Sequence, residues 1–326
     1  MTPEYISEQR VRAALNPVHT LVDALEEAFR NFSKGKEGGA IQPLRTRLEV
    51  SDHNGMLIAM PVYSVNDQAL AIKVLTLYSE NKRRNLPTYQ GVMLLFHADT
   101  GCLASIIDAI SVTEIRTAAA SAVATKCIYR GEPKILAIIG AGSQGKGHWN
   151  VFSQIYSFTE VRVYSRTRSS SEKLVSHIGS RGKVCESAED AVKNADIIIT
   201  ATFSKQPLVF KDWVKPGAHI NALGANSPDR QELDPVLVRD SVVYVDDRRA
   251  AIAGSGDIIH SKAEIYAEIG EVIDGRKEIK RDPITIFKSL GLAIEDAVTA
   301  KLVHDSVHKE RAADTDRKSN QQTGRK

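Results

Sequence analysis

The sequence predicts an α/β protein of two domains: a doubly wound parallel sheet, and a smaller α+β domain on a mixed sheet. Three observations predict it. Ile135, Leu136, Ala137, Ile138 and Ile139 form an apolar run of the kind that a sheet covered on both faces requires. The glycine turn Gly140-Ala141-Gly142-Ser143-Gln144-Gly145 follows at once and opens a helix, and a second strand, Glu160 to Arg166, begins 15 residues after Gly145. Residues 41–96 instead show short β-type runs with no long helix between them.

From Ser7 to about Lys34, Val11, Leu15, Leu21, Leu25, Ala28 and Phe29 recur at mostly helical spacing, broken at Asn16-Pro17. Two amphipathic helices are expected, the second fading into Gly35, Gly38 and Gly39. RTRLEV, GMLIAMPVYS, LAIKVLTLYS and GVMLLFHA then read as four strands, separated by DHNG, ND and NLP. Asp99-Thr100-Gly101 predicts a hairpin turn into CLASIIDA. SVTEIRTAAASAVATKCI, 111–128, is helix-compatible, and its alanines permit close approach of another backbone or a ligand. The boundary between domains falls here, giving 1–115 plus 296–308 as one domain and 116–295 as the other. Further strands are expected near Val161–Arg166, Lys183–Cys185, Ala195–Thr202, Ala218–Gly224 and Val242–Asp246, with Ser187 and Asp190 resembling a capping box. Thr285–His308 reads as a last helical stretch that returns to the first domain.

The glycine turn carries the first functional signal. In GxGxxG, Gly140 allows the tight turn, Gly142 lets backbone approach a pyrophosphate, and Gly145 permits close helix–strand packing. The helix start aims unpaired N–H groups at the phosphates. The motif also occurs as a plain turn in other α/β folds, and the strand that follows favours the Rossmann-type reading. That strand ends in Ser165, Arg166, Thr167 and Arg168, where an acid would bond the ribose 2′-hydroxyl of NAD. Two hydroxyls and two guanidiniums suit a 2′-phosphate, so NADPH is expected with NADH weaker; the alternative is a solvated basic turn.

Composition excludes several classes. No apolar run approaches the roughly 18 residues of a membrane span, and MTPEYISEQRVRAAL has no signal-peptide pattern, so a cytoplasmic protein is expected. Residues 309–326 hold six basic against three acidic residues and account for the whole net charge of +3. A neutral body does not suggest nucleic-acid binding, and the polar tail reads as disordered. Cys102, Cys127 and Cys185 form neither a disulfide framework nor a zinc site.

Lys73 interrupts the apolar strand ALAIKVLTL, and Arg116 sits among alanines and threonines. Buried cations need partners. Either they face a cleft and hold an anionic substrate, or Lys73 lies on an open strand face and Arg116 pairs with Glu114 or Asp108. Arg45 and Arg47 alternate with Thr46 and Leu48 and share a strand face. His97, His148 and His219 form no ligand cluster and read as structural, and Ser105, Ser111 and Ser121 lack a nucleophile-elbow motif.

Several segments resemble one family. EGGAIQPLRT, LAIKVLTLYSEN, TEIRTAAASAVATK, IGAGSQG, EVRVYSRT, ADIIITAT, VKPGAHINALGANSPDRQELD and IFKSLGLAIEDAVTAK are similar, in order over about residues 5–305, to the ornithine cyclodeaminase and mu-crystallin family. The resemblance implies a homodimer whose sheet-containing domain supplies the substrate site and the subunit contact. It implies that Arg45 and Arg116 hold a substrate carboxylate, that Lys73 lies near the reacting carbon and nitrogen, and that Ser289, Leu290 and Gly291 lie near the nicotinamide. Cyclodeaminases of the family carry a catalytic aspartate where this chain has Asn226; an amide cannot serve as that base at neutral pH. Asp229, three residues on, keeps the cyclodeaminase alternative open. Reduction of a ketimine carboxylic acid is therefore expected, with Asn226 at the substrate. The alternatives are alanine dehydrogenase-like chemistry and a small-molecule binding protein for iodothyronine-like hormones.

Overall fold

The computed structural model describes residues 3–281 and 283–323, with side chains through 309 and at 311. The chain divides into two units: residues 1–21, 39–113 and 293–326, and residues 22–38 and 114–292. In chain order the elements are β1 (Glu4–Ile6), α1 (Glu8–Ala14), α2 (His19–Phe32), β2 (Ala40–Ile41), β3 (Thr46–Val50), β4 (Gly55–Ser64), β5 (Ala69–Tyr78), β6 (Tyr89–His97), β7 (Leu103–Asp108) and α3 (Ala109–Ile128). There follow β8 (Ile135–Ile139), α4 (Ser143–Ile155), β9 (Glu160–Tyr164), α5 (Arg168–Ile178), β10 (Gly182–Val184), α6 (Ala188–Val192), β11 (Ile197–Thr200) and β12 (His219–Ala222). The last are α7 (Pro235–Arg239), β13 (Val242–Val245), α8 (Arg248–Gly254), α9 (Gly256–Ser261), β14 (Ile265–Glu268), α10 (Ile269–Ile273), β15 (Thr285–Lys288) and α11 (Ala293–Thr323).

The first unit carries a mixed sheet in the order β1-β7-β6-β5-β4-β2, with β3 also on β4. Its pairs are antiparallel except β1 on β7. Side chains alternate across the pleat. Met60, Lys73, Met93 and Ile107 lie in register on one face and are buried, and α11 packs against β4, β5 and β6. On the other face Pro61, Ile72, Leu94 and Ile106 align and are only half-buried.

The second unit is a parallel sheet in the order β10-β9-β8-β11-β12-β15-β13-β14. β8, β11, β12 and β15 are almost wholly buried, as a parallel sheet covered on both faces requires; β8 and β11 are nearly all apolar, whereas β12 and β15 also bury His219, Asn221, Thr285 and Lys288. The chain reverses its winding between β8 and β11, the place where such sheets bind ligands at the carboxyl ends of the strands.

Three features differ from the sequence reading. TIFK, read as the start of the last helix, is β15, paired parallel to β12 and β13; the helix begins only at Ala293, after Gly291 turns the chain at φ +82°. That helix runs on to Thr323, past His308, through most of the segment expected to be disordered; residues 324–326 lie outside the described residues. From Val22 onward α2 belongs with the parallel-sheet unit, because Phe29 packs edge-on against Phe287 and Gly270 lies against the Phe29 carbonyl.

Candidate active site

The turn after β8 has the shape of a phosphate cradle. A Cβ on Gly140, whose φ is +114°, would lie 2.5 Å from the Ala201 carbonyl oxygen, and one on Gly145 would lie 2.1 Å from that of Gly140. A Cβ on Gly142 would meet nothing within 4 Å, so this backbone faces open space at the start of α4. Ser143 and Gln144 form the first turn of that helix, where N–H groups have no helical partner. These residues fit a dinucleotide pyrophosphate. His148 is structural: buried, it donates from Nδ1 to the Gln144 carbonyl at 2.7 Å, and its Nε2 lies 2.9 Å from the Ser121 hydroxyl. Burial pushes its pKa down to about 4, so it is neutral.

Of the four residues expected at the 2′-phosphate, Ser165 donates to the Thr167 carbonyl at 2.9 Å, and Thr167 is the N-cap position of α5. Arg168 is drawn to Glu186, at 2.6 Å, and to Glu172, at 3.0 Å. Arg166 has no ion pair among the described residues, so of the two guanidiniums it is the more available one.

Further along the sheet edge a buried carboxylate organises the turn after β15. Asp246 Oδ2 accepts from the backbone N–H groups of Leu290 and Gly291, both at 2.6 Å, and from the Ser289 hydroxyl at 3.2 Å. The Arg116 guanidinium, 4% exposed, lies against this turn: a Cβ on Gly291 would be 2.9 Å from both Nη1 and Nη2. The fold therefore places an arginine of α3 beside the segment that the resemblance sets at the nicotinamide. A second buried carboxylate, Glu232, accepts from Thr200 Oγ1, Thr202 Oγ1, Thr202 N and Gly224 N at 2.6–2.8 Å. Burial raises its pKa, opposed by the nearby Lys288 ammonium. Lys288 is itself buried against Asp257 at 3.2 Å.

Asn226 is half-buried on the loop after β12, where its Oδ1 accepts from Arg230 Nη1 at 3.4 Å. Asp229, three residues on, lies at the surface. Its exposed carboxylate accepts from Ser227 Oγ at 2.7 Å and pairs with Lys205 at 3.1 Å, and these partners hold its pKa below the ordinary carboxylate value.

In the mixed-sheet unit Lys73 is 2% exposed, and its ammonium lies 2.8 Å and 2.7 Å from the two carboxylate oxygens of Asp296, in the first turn of α11. Two charges brought together out of water stabilise each other only as a pair. Arg45 is half-buried directly ahead of β3, and Gln42 caps the Ile294 N–H at 2.7 Å near the start of α11. The structure thus places Arg45 and Lys73 in one unit and Arg116, Asn226 and the dinucleotide residues in the other. Sequence reasoning missed Asp246, Asp296 and Glu232. Their local sequence gives little signal: Glu232 lies in a polar loop, Asp246 is followed by Asp247 and Arg248, and Asp296 follows Glu295.

A winding reversal beside a glycine cradle, with strand ends that carry buried polar clamps, defines a dinucleotide-binding α/β protein. The family model described as ornithine cyclodeaminase/mu-crystallin family matches residues 4–311, and the chain belongs to that family. It is 45% identical to the ketimine reductase mu-crystallin of Mus musculus over 304 residues, 93% of this chain and 97% of that protein. Among solved structures it is similar to the Δ1-pyrroline-2-carboxylate reductase of Thermococcus litoralis in complex with NADH and L-proline, with a TM-score of 0.88 and 35% identity, covering 94% of this chain and 98% of that one. It is also similar to an archaeal alanine dehydrogenase dimer with bound NAD, with a TM-score of 0.87 and 31% identity, covering 95% and 98%.

Proposed function

We propose that this protein reduces the C=N bond of ketimine carboxylic acids, such as Δ1-piperideine-2-carboxylate or Δ1-pyrroline-2-carboxylate, to the amino acid with NADPH. The observation that carries this reading is the Arg116 guanidinium against Gly291, at the turn assigned to the nicotinamide. A carboxylate held there in a charge-assisted fork sits one bond from the carbon to be reduced. The bound reduced nicotinamide supplies a hydride to that carbon, and a proton ends on the nitrogen. Arg45 is assigned as a further carboxylate ligand, and Lys73, oriented by Asp296, as the ammonium beside the reacting carbon and nitrogen. Asn226 in place of a carboxylate disfavours oxidative deamination, which needs a base on the amine, whereas a protonated ketimine is already electrophilic. Loss of NADPH absorbance on addition of Δ1-piperideine-2-carboxylate tests this reading, with pyruvate plus ammonia as the control. No oxidation, with NADPH bound tightly, would overturn it.

Arg166 is assigned to the 2′-phosphate. Arg166→Ala is expected to weaken NADPH about tenfold or more, the size of a lost charged hydrogen bond, and NADH hardly at all; fluorescence titration of both cofactors checks this. A homodimer is proposed as well, on the half-buried apolar face of the mixed sheet around Pro61, Ile72, Leu94 and Ile106, since an uncovered apolar face of this kind favours association. Light scattering is expected to give twice the chain mass, and Ile72→Asp to give a single chain. A cytoplasmic location is proposed; no helix among the described residues is long and apolar enough to cross a membrane.

A further inference from the structure

One cation at the same sheet edge has no role so far. Ala222, at the end of β12, pairs with Lys288, at the end of β15. The loop carrying Asn226 and Arg230 and the 289–291 turn against Arg116 therefore leave the sheet from neighbouring strands. The half-buried Arg230 guanidinium lies over the Phe203 ring, 4.6 Å from its centroid, and donates to the Asn226 amide oxygen at 3.4 Å. Neither partner carries a charge. The acids closest in sequence are engaged elsewhere, Asp229 with Lys205 and Ser227, and Glu232 with four donors inside the protein. Among the described residues no carboxylate pairs with Arg230.

The backbone that carries this guanidinium is pinned. Arg230 N donates to the Ser227 carbonyl at 3.1 Å, Gln231 N to that of Ser204 at 2.9 Å, and His260 Nε2 to that of Pro228 at 2.9 Å. Gly256 packs so tightly on the Arg230 carbonyl that a Cβ there would lie 1.7 Å from its oxygen. A guanidinium fixed by its backbone, by a ring face and by an amide, with no counter-ion of its own, is preorganised for an added carboxylate.

We propose that Arg230 is a second anion-binding position, which selects ketimines bearing a second carboxylate away from the C=N carbon. This deepens the ketimine-reductase reading and rests on it. The reaction is unchanged: the C=N carbon gains a hydride and the nitrogen a proton, NADPH becomes NADP+, and both carboxylates leave as they entered.

The test compares Δ1-piperideine-2,6-dicarboxylate with Δ1-piperideine-2-carboxylate, which differ only in the second carboxylate. The wild type is expected to show the higher kcat/KM with the dicarboxylate. Arg230→Gln lowers the dicarboxylate-to-monocarboxylate ratio about tenfold or more, and Arg230→Lys restores part of it. An unchanged ratio in Arg230→Gln overturns the proposal, as does an equal loss for both substrates together with weaker NADPH binding, which would place Arg230 at the cofactor. If the wild type reduces neither imine, the ketimine reading fails, and Arg230 is judged by calorimetry. Pyridine-2,6-dicarboxylate should then bind the NADP+-loaded wild type about tenfold more tightly than Arg230→Gln; equal binding overturns the proposal.

Discussion

Arg116→Ala lowers kcat/KM for a ketimine carboxylate by on the order of a hundredfold or more, the effect of removing a buried charged partner from the substrate carboxylate, roughly 3 kcal/mol. The guanidinium is almost fully buried and packs on a turn held by Asp246, so it cannot be replaced by a water-exposed neighbour. NADPH affinity should change little, because the cradle at Gly140–Gly145 is built from other residues. Gly291→Ala is a useful companion: its methyl group would lie 2.9 Å from both guanidinium nitrogens and displace the clamp without deleting it. Steady-state kinetics with a cofactor titration separates the outcomes. Equal kcat/KM in Arg116→Ala would remove the carboxylate role.

Asp296→Ala should be the most destabilising of the substitutions considered. It leaves the Lys73 ammonium buried without the carboxylate that lies 2.7 Å away, and breaking such a pair costs about 3–5 kcal/mol. The paired substitution Lys73→Met with Asp296→Leu removes both charges and should recover most of that stability, yet remain inactive if Lys73 serves the reacting centre. Urea denaturation and activity, measured on the single and double variants, check both halves. A single variant within about 1 kcal/mol of the wild type would mean that the ion pair does not hold this part of the fold.

The glycine cradle was legible because its information is local: strand, turn and helix start occupy about a dozen consecutive residues. Lys73 was also legible, since a lysine inside an apolar strand is anomalous wherever the strand is placed. Its partner was not. Asp296 lies 223 residues away and reads as an ordinary acid in the first turn of a helix, where the dipole alone would account for it. Asp246 gives a similar reading at a strand end, and its role depends on backbone N–H groups more than 40 residues downstream. TIFK was misread because a short apolar run fits a buried strand and a helix equally well, and the helical period of the following segment extended backward over it. At the position proposed for the 2′-phosphate, residue type identified two candidate arginines; only the structure shows that Arg168 pairs with Glu172 and Glu186. The capping of α6 by Ser187, whose Oγ accepts from Asp190 N at 3.0 Å, was readable for the opposite reason: both partners lie within one turn.

Hydride transfer to the imine carbon is the central claim, and the fate of a single isotope tests it most directly. NADPH carrying deuterium at the transferable C4 position is incubated with the protein and Δ1-piperideine-2-carboxylate, and the amino acid formed is examined by mass spectrometry and NMR. The account predicts one deuteron, at the carbon that bears the carboxylate. Product without deuterium at that carbon, or no product, would contradict it.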